Sequence, residues 1–230
     1  MGEKKEEVKE EKKINTEELK AEATNTVNQV KDTIKKVDIK KDSIETKGFV
    51  VDIFKDPLGK IQEIVTKDTA KYLTYALIIL AIWVIAVVVS KCFTYSHVFK
   101  YTKIGSAIKE ILLTGIAPIV SVLVMSIIAF IMNRKNKKQL TTVMTVVMVA
   151  SLPIAIAAVV GLLTVISSKI SMVTVPFARL CNVTSVVLMY FALKALFNEE
   201  KNSDFIKKFV FVETIYYACY IVLSLINVYI

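Results

Sequence analysis

The chain has 230 residues, 54% of them hydrophobic, yet 22% are charged and the formal net charge is +9. Three cysteines in that length exclude a secreted disulfide scaffold. Residues 1–71 hold 16 basic and 16 acidic side chains, so the whole surplus of +9 lies in the apolar remainder, which argues against a nucleic-acid partner bound by a basic tail.

Residues 1–47 read as a charged cytoplasmic tail, helical or partly disordered. Ala23, Val27, Val30, Ile34 and Val37 recur at spacings of four and three, a short seam for a coiled coil or a surface helix. No apolar run follows a basic start, so no signal peptide is expected. Gly2 without Ser or Thr at position 6 does not make a myristoylation site.

Gly48 is expected to break this pattern, and residues 48–71 then read as an amphipathic approach to the membrane. Asp56-Pro57 marks a helix start: the aspartate caps free backbone N–H groups and proline suits the first helical position. Leu58, Ile61, Ile64 and Val65 line one face. That face can lie along the cytoplasmic leaflet or pack under the bundle.

Three long uncharged runs follow: 19 residues from Tyr72 to Ser90, 23 from Ile111 to Asn133 and 30 from Gln139 to Ser168. A bilayer core of about 30 Å needs about 20 apolar residues. The first two runs each fit one span; the third must tilt, kink or project. Ile170–Phe197 and Phe209–Ile230 are apolar but carry Arg179 with Lys194, and Glu213. The fold class predicted is all-α: a polytopic membrane helix bundle over residues 72–230. Its five transmembrane helices fall near 72–90, 111–133, 140–168, 172–197 and 209–230.

Threading follows from the loop charges. One side collects twelve basic residues, among them Arg134, Lys135, Lys137 and Lys138 in a very short loop; the other collects five, or six with Arg179. The positive-inside rule then predicts a multi-pass protein of the cell membrane with its N-terminus cytoplasmic and its C-terminus external.

The inventory for chemistry is thin. His97, the only histidine, is placed in an outer loop among aromatics. No cysteine or histidine spacing suits zinc, and Cys181 and Cys219 fall within spans, where cysteine behaves as a small apolar residue. No glycine-rich phosphate loop, nucleophile elbow or His-Glu-x-x-His helix is present. No catalytic residue, cofactor or metal site is therefore expected. Arg179 and Glu213 are the candidate intramembrane residues, functional or structural. Pro118 and Pro153 join them, because each frees a backbone carbonyl that a neighbouring helix must satisfy. Ala117/Ser121, Ser151/Ala155 and Ala157/Gly161 are small-residue pairs that permit close packing.

The approach segment DPLGKIQEIV, the five spans and the third span TTVMTVVMVASLPIAIAAVVGLLTVI carry a resemblance. Residues 49–230 resemble the Yip domain, the family of Rab/Ypt-interacting membrane proteins, in its bacterial type. Some bacterial relatives carry a zinc ribbon before the domain; here no cysteine precedes Cys92. The 28 lysines against 2 arginines are associated with an A/T-rich bacterial genome. The resemblance implies a non-enzymatic integral membrane protein that organises membrane or recruits partners. Beside the empty catalytic inventory, the patterned tail at 1–47 is the expected place for a protein partner or for self-association. A small transporter or channel resting on Pro118, Pro153, Arg179 and Glu213 is the alternative. An immunity or stress-response membrane protein fits the same facts.

Overall fold

A computed structural model describes residues 16–67, 70–98, 104–133, 136, 138–198 and 202–229. Every regular element among them is helical. The N-terminal segment forms α1 (Thr16–Lys36), α2 (Ile39–Lys55) and α3 (Pro57–Thr66). Asp38 separates the first two by capping α2, its carboxylate accepting from the N–H groups of Lys40 and Lys41.

Gly48 does not break the helix: α2 runs straight through it. A glycine inside a helix costs about 1 kcal/mol, which burial of the flanking Phe49 and Ile53 against the bundle outweighs. The break falls instead at Asp56-Pro57. Asp56 accepts from the Gly59 N–H at 2.9 Å and Pro57 takes the first turn of α3. Ile61, Ile64 and Val65 are buried against the bundle, so α3 packs under it; Leu58 alone of that face stays exposed.

Two long helices follow, α4 (Ala70–Val98) and α5 (Ile104–Met132). The first carries the helix past Ser90, so His97 lies on its last turn rather than in a loop; the His97 side chain is outside the described ones. They pack closely at Gly115, where an added Cβ would come within 2.7 Å of a Val88 methyl. Lys91 and Glu110 pair between them at 3.5 Å.

The 30-residue uncharged run is not one rod. It is split into α6 (Leu140–Ala150), α7 (Leu152–Gly161) and the short α8 (Leu163–Ile166), with a 45° bend at the first break. Pro153 sits in the first turn of α7. Around the break the Ile154 N–H turns to the Ser151 carbonyl, and the Ala150 carbonyl is instead met by the Ser185 hydroxyl from the next span at 2.8 Å. A freed carbonyl at membrane depth is thus satisfied by a neighbouring helix. Every residue of α6 is buried, which makes it the axis of the bundle.

The last two helices are α9 (Ser171–Phe197) and α10 (Asn202–Tyr229). Asn198 ends α9 in the left-handed region at φ 45°, a conformation asparagine tolerates. Three helices, α4, α5 and α9, are long and apolar enough to cross a membrane, and the bent α6–α7 pair makes a fourth candidate. The fifth, α10, is 28 residues long, but side chains from 223 onward are outside the described set.

Candidate functional site

Two places in the bundle bring together residues that a packing role does not exhaust. One is the end where α1–α3 lie. The Glu22 carboxylate of α1 accepts from the Leu140 N–H at 3.0 Å, capping α6 across 118 residues of chain. Gln139, the local cap residue, makes no side-chain cap bond of its own. Asn136 donates to the Leu196 and Phe197 carbonyls at the end of α9, and Lys138 donates to the Val65 carbonyl of α3. These contacts gather α1, α3, the loop before α6 and the end of α9 on one side of the bundle. Arg134, Lys135 and Lys137, expected to set topology with Lys138, lie outside the described residues.

Charge pairs tie the same side together. Tyr75 donates to Glu45 at 2.6 Å, and Lys71 lies 3.0 Å from the same carboxylate. The Tyr75 hydroxyl, followed by Lys71, holds Glu45 below the usual carboxylate range. Lys67, Lys60 and the Tyr72 hydroxyl hold Glu63 down at about 2. The outer faces of α1 and α2 nevertheless carry apolar side chains in the open: Ile34 is 58% exposed, Ile39 78% and Ile44 73%.

The second place is a cleft of about 470 Å³ inside the bundle. Near residue 202, α10 is held to α9 by edge-to-face rings, with Tyr190 5.0 Å from Phe205 and 5.3 Å from Phe209. Farther along α10 the cleft opens, walled by α5 at Pro118 and Ser121, by the α6–α7 break at Ser151, by Asn182 of α9 and by Glu213 of α10. Trp83 of α4 and Tyr216 and Tyr217 of α10 also line it. The Ser121 and Tyr216 hydroxyls are hydrogen-bonded to each other, which fixes the Tyr216 ring on the α5 side.

The four intramembrane candidates thus separate. Pro118 and Glu213 meet in the cleft, and Pro153 shapes it from two residues past Ser151. Arg179 is exposed on α9 and does not line it. Neither lysine near the start of α10 reaches Glu213: Lys207 pairs with Asp204 at 3.8 Å, and Lys208 lies over the Phe197 ring. Sequence reasoning missed Trp83 and Asn182 as neighbours of Glu213 in the cleft, because they come from helices far apart in the chain, and it passed over Tyr216 and Tyr217, which lie one turn from Glu213 on α10. Among the described residues no group of three or more His, Cys, Asp or Glu side chains is placed to hold a metal.

Apolar helices long enough to cross a bilayer, wound about a fully buried central helix, define a multi-pass helical membrane protein. The Yip1 domain matches residues 51–226, and the chain belongs to that family. No curated protein and no solved structure matches the chain.

Proposed function

We propose that this member of the Yip1 family is a non-enzymatic membrane scaffold or adaptor. It sits in the cell membrane with α1–α3 in the cytoplasm and the C-terminus outside. The observation that carries the reading is the pairing of a firm mount with an open face. Glu22, Glu45, Ile61 and Ile64 fix α1–α3 to the bundle, while Ile34, Ile39 and Ile44 remain uncovered. Exposed apolar side chains on a rigid support suit a protein contact. The partner is a cytoplasmic protein or a second copy of this chain. The excess of lysine and arginine in the loops on the α1–α3 side supports the orientation.

Replacing Ile34, Ile39 and Ile44 together by serine should remove the pulled-down partner or the self-association of purified protein, with the bundle's melting unchanged. An unaltered partner set and oligomeric state would sink the reading. A second reading, a small transporter, rests on the cleft and requires that it bind a solute.

A further inference from the structure

The cleft has an electrostatic feature that packing leaves unanswered. Among the described residues that line it, Glu213 is the only charged side chain. Among the described residues Glu213 has no ion-pair or hydrogen-bond partner, and Lys207 and Lys208 are engaged elsewhere. Glu213 lies eleven residues into α10, about 16 Å along the axis at 1.5 Å per residue. A carboxylate at that depth is costly unless it meets a cation or a proton.

The rest of the lining selects among cations. A divalent metal needs several oxygen, nitrogen or sulfur ligands, and among the described residues no other acidic, histidine or cysteine side chain lines the cleft. Trp83, Tyr216 and Tyr217 instead bring three aromatic rings to the same cavity. Ring faces attract weakly hydrated cations, quaternary and substituted ammonium groups above all. Asn182, Thr114 and Ser121 add neutral hydrogen-bonding groups. The volume of about 470 Å³ lies within the span typical of small-molecule sites, about 300–1,000 Å³. Tyr217, 50% exposed, and the exposed Asn182 stand at a rim between α9 and α10 through which a ligand can enter.

We propose that this cleft binds an organic ammonium ion, its charge against Glu213 and its carbon groups among Trp83, Tyr216 and Tyr217. The ammonium belongs either to a soluble amine or to the headgroup of an aminophospholipid. This goes beyond the scaffold reading and does not depend on it.

Trp83 is the chain's only tryptophan, so its fluorescence reports on the cleft directly. The full chain, purified in dodecyl maltoside, would be titrated with tetraethylammonium and with a short-chain phosphatidylethanolamine. A neutral polyether and a short-chain diacylglycerol serve as uncharged counterparts. A saturable change in Trp83 emission is expected with at least one ammonium compound and with neither neutral one. A response to tetraethylammonium alone assigns the site to soluble amines, and one to the phospholipid alone assigns it to a headgroup; each supports the site. Glu213→Gln should weaken binding about tenfold and Tyr217→Leu several-fold, in line with losing the charge and one ring. The proposal is overturned if the unaltered protein gives no saturable response to either ammonium compound, or responds equally to the neutral ones. Unchanged affinity in a Glu213→Gln protein that melts like the parent would overturn it too. Should Glu213→Gln fail to fold, Tyr217→Leu and the neutral ligands decide.

Discussion

Asp56 closes α2 and opens α3, and its carboxylate lies close against Gly59. A Cβ at Gly59 would stand 2.0 Å from an Asp56 carboxylate oxygen and expel it from its cap bond. Asp56→Ala should therefore lower stability by about 1 kcal/mol, as cap removal generally does. Gly59→Ala should also destabilise, although alanine is ordinarily the better helix residue. In an Asp56→Ala background the same Gly59→Ala change should become neutral or stabilising, because no cap remains to be displaced. Apparent melting temperatures of the four proteins in detergent check this cycle; additive losses would contradict it. The cap was legible in the sequence because capping is local: an aspartate followed by a proline marks it. The Glu22 cap on α6 was not legible. It spans 118 residues of chain, and nothing near Gln139 announces that its own cap bond is missing.

At the scale of elements, the broken third span is the part of the fold best explained by a single residue. Its length demanded a tilt, a kink or a projection past the core, and Pro153 marked the place for a kink. What the sequence could not name was the group that meets the freed carbonyl, Ser185 on α9, since a buried serine in a span carries no signal of its partner. Ser185→Ala should leave the Ala150 carbonyl buried and unmet, at a cost of about 1–3 kcal/mol. Ser185→Thr keeps the hydroxyl and should recover part of the loss. A drop in melting temperature for the alanine variant but not for Thr184→Ala, whose hydroxyl bonds only within its own helix at 2.9 Å, would separate the cross-helix bond from general loss of polarity. Gly48 was misread for a related reason. A helix breaker was weighed by local cost alone, whereas residues later in the chain hold α2 on both sides of it, Tyr75 and Lys71 at Glu45 before it and the core around Phe49 and Ile53 after it.

At the scale of the whole molecule, charge and apolarity are two aspects of one arrangement. The apolar runs form helices about a buried axis, α6, and Lys138 of the loop before it reaches the side where α1–α3 are docked. The all-helical membrane class and the family could be read from run lengths and from the Asp-Pro approach, because a bilayer imposes length and hydropathy on each span separately. The cleft could not be read, because it exists only where α4, α5, the α6–α7 break, α9 and α10 converge.

The proposed threading puts α1–α3 and the loop before α6 on the cytoplasmic side and the end of α10 on the other. Labelling intact cells with a membrane-impermeant thiol reagent tests it most directly. Cys92, Cys181 and Cys219 would first be replaced by alanine, and single cysteines introduced as Ser43→Cys, Lys137→Cys or Ile230→Cys. Ser43→Cys and Lys137→Cys should label only after the membrane is opened, and Ile230→Cys should label in intact cells. Labelling of Ile230→Cys on the same side as Ser43→Cys would contradict an odd number of spans, and with it the proposed orientation.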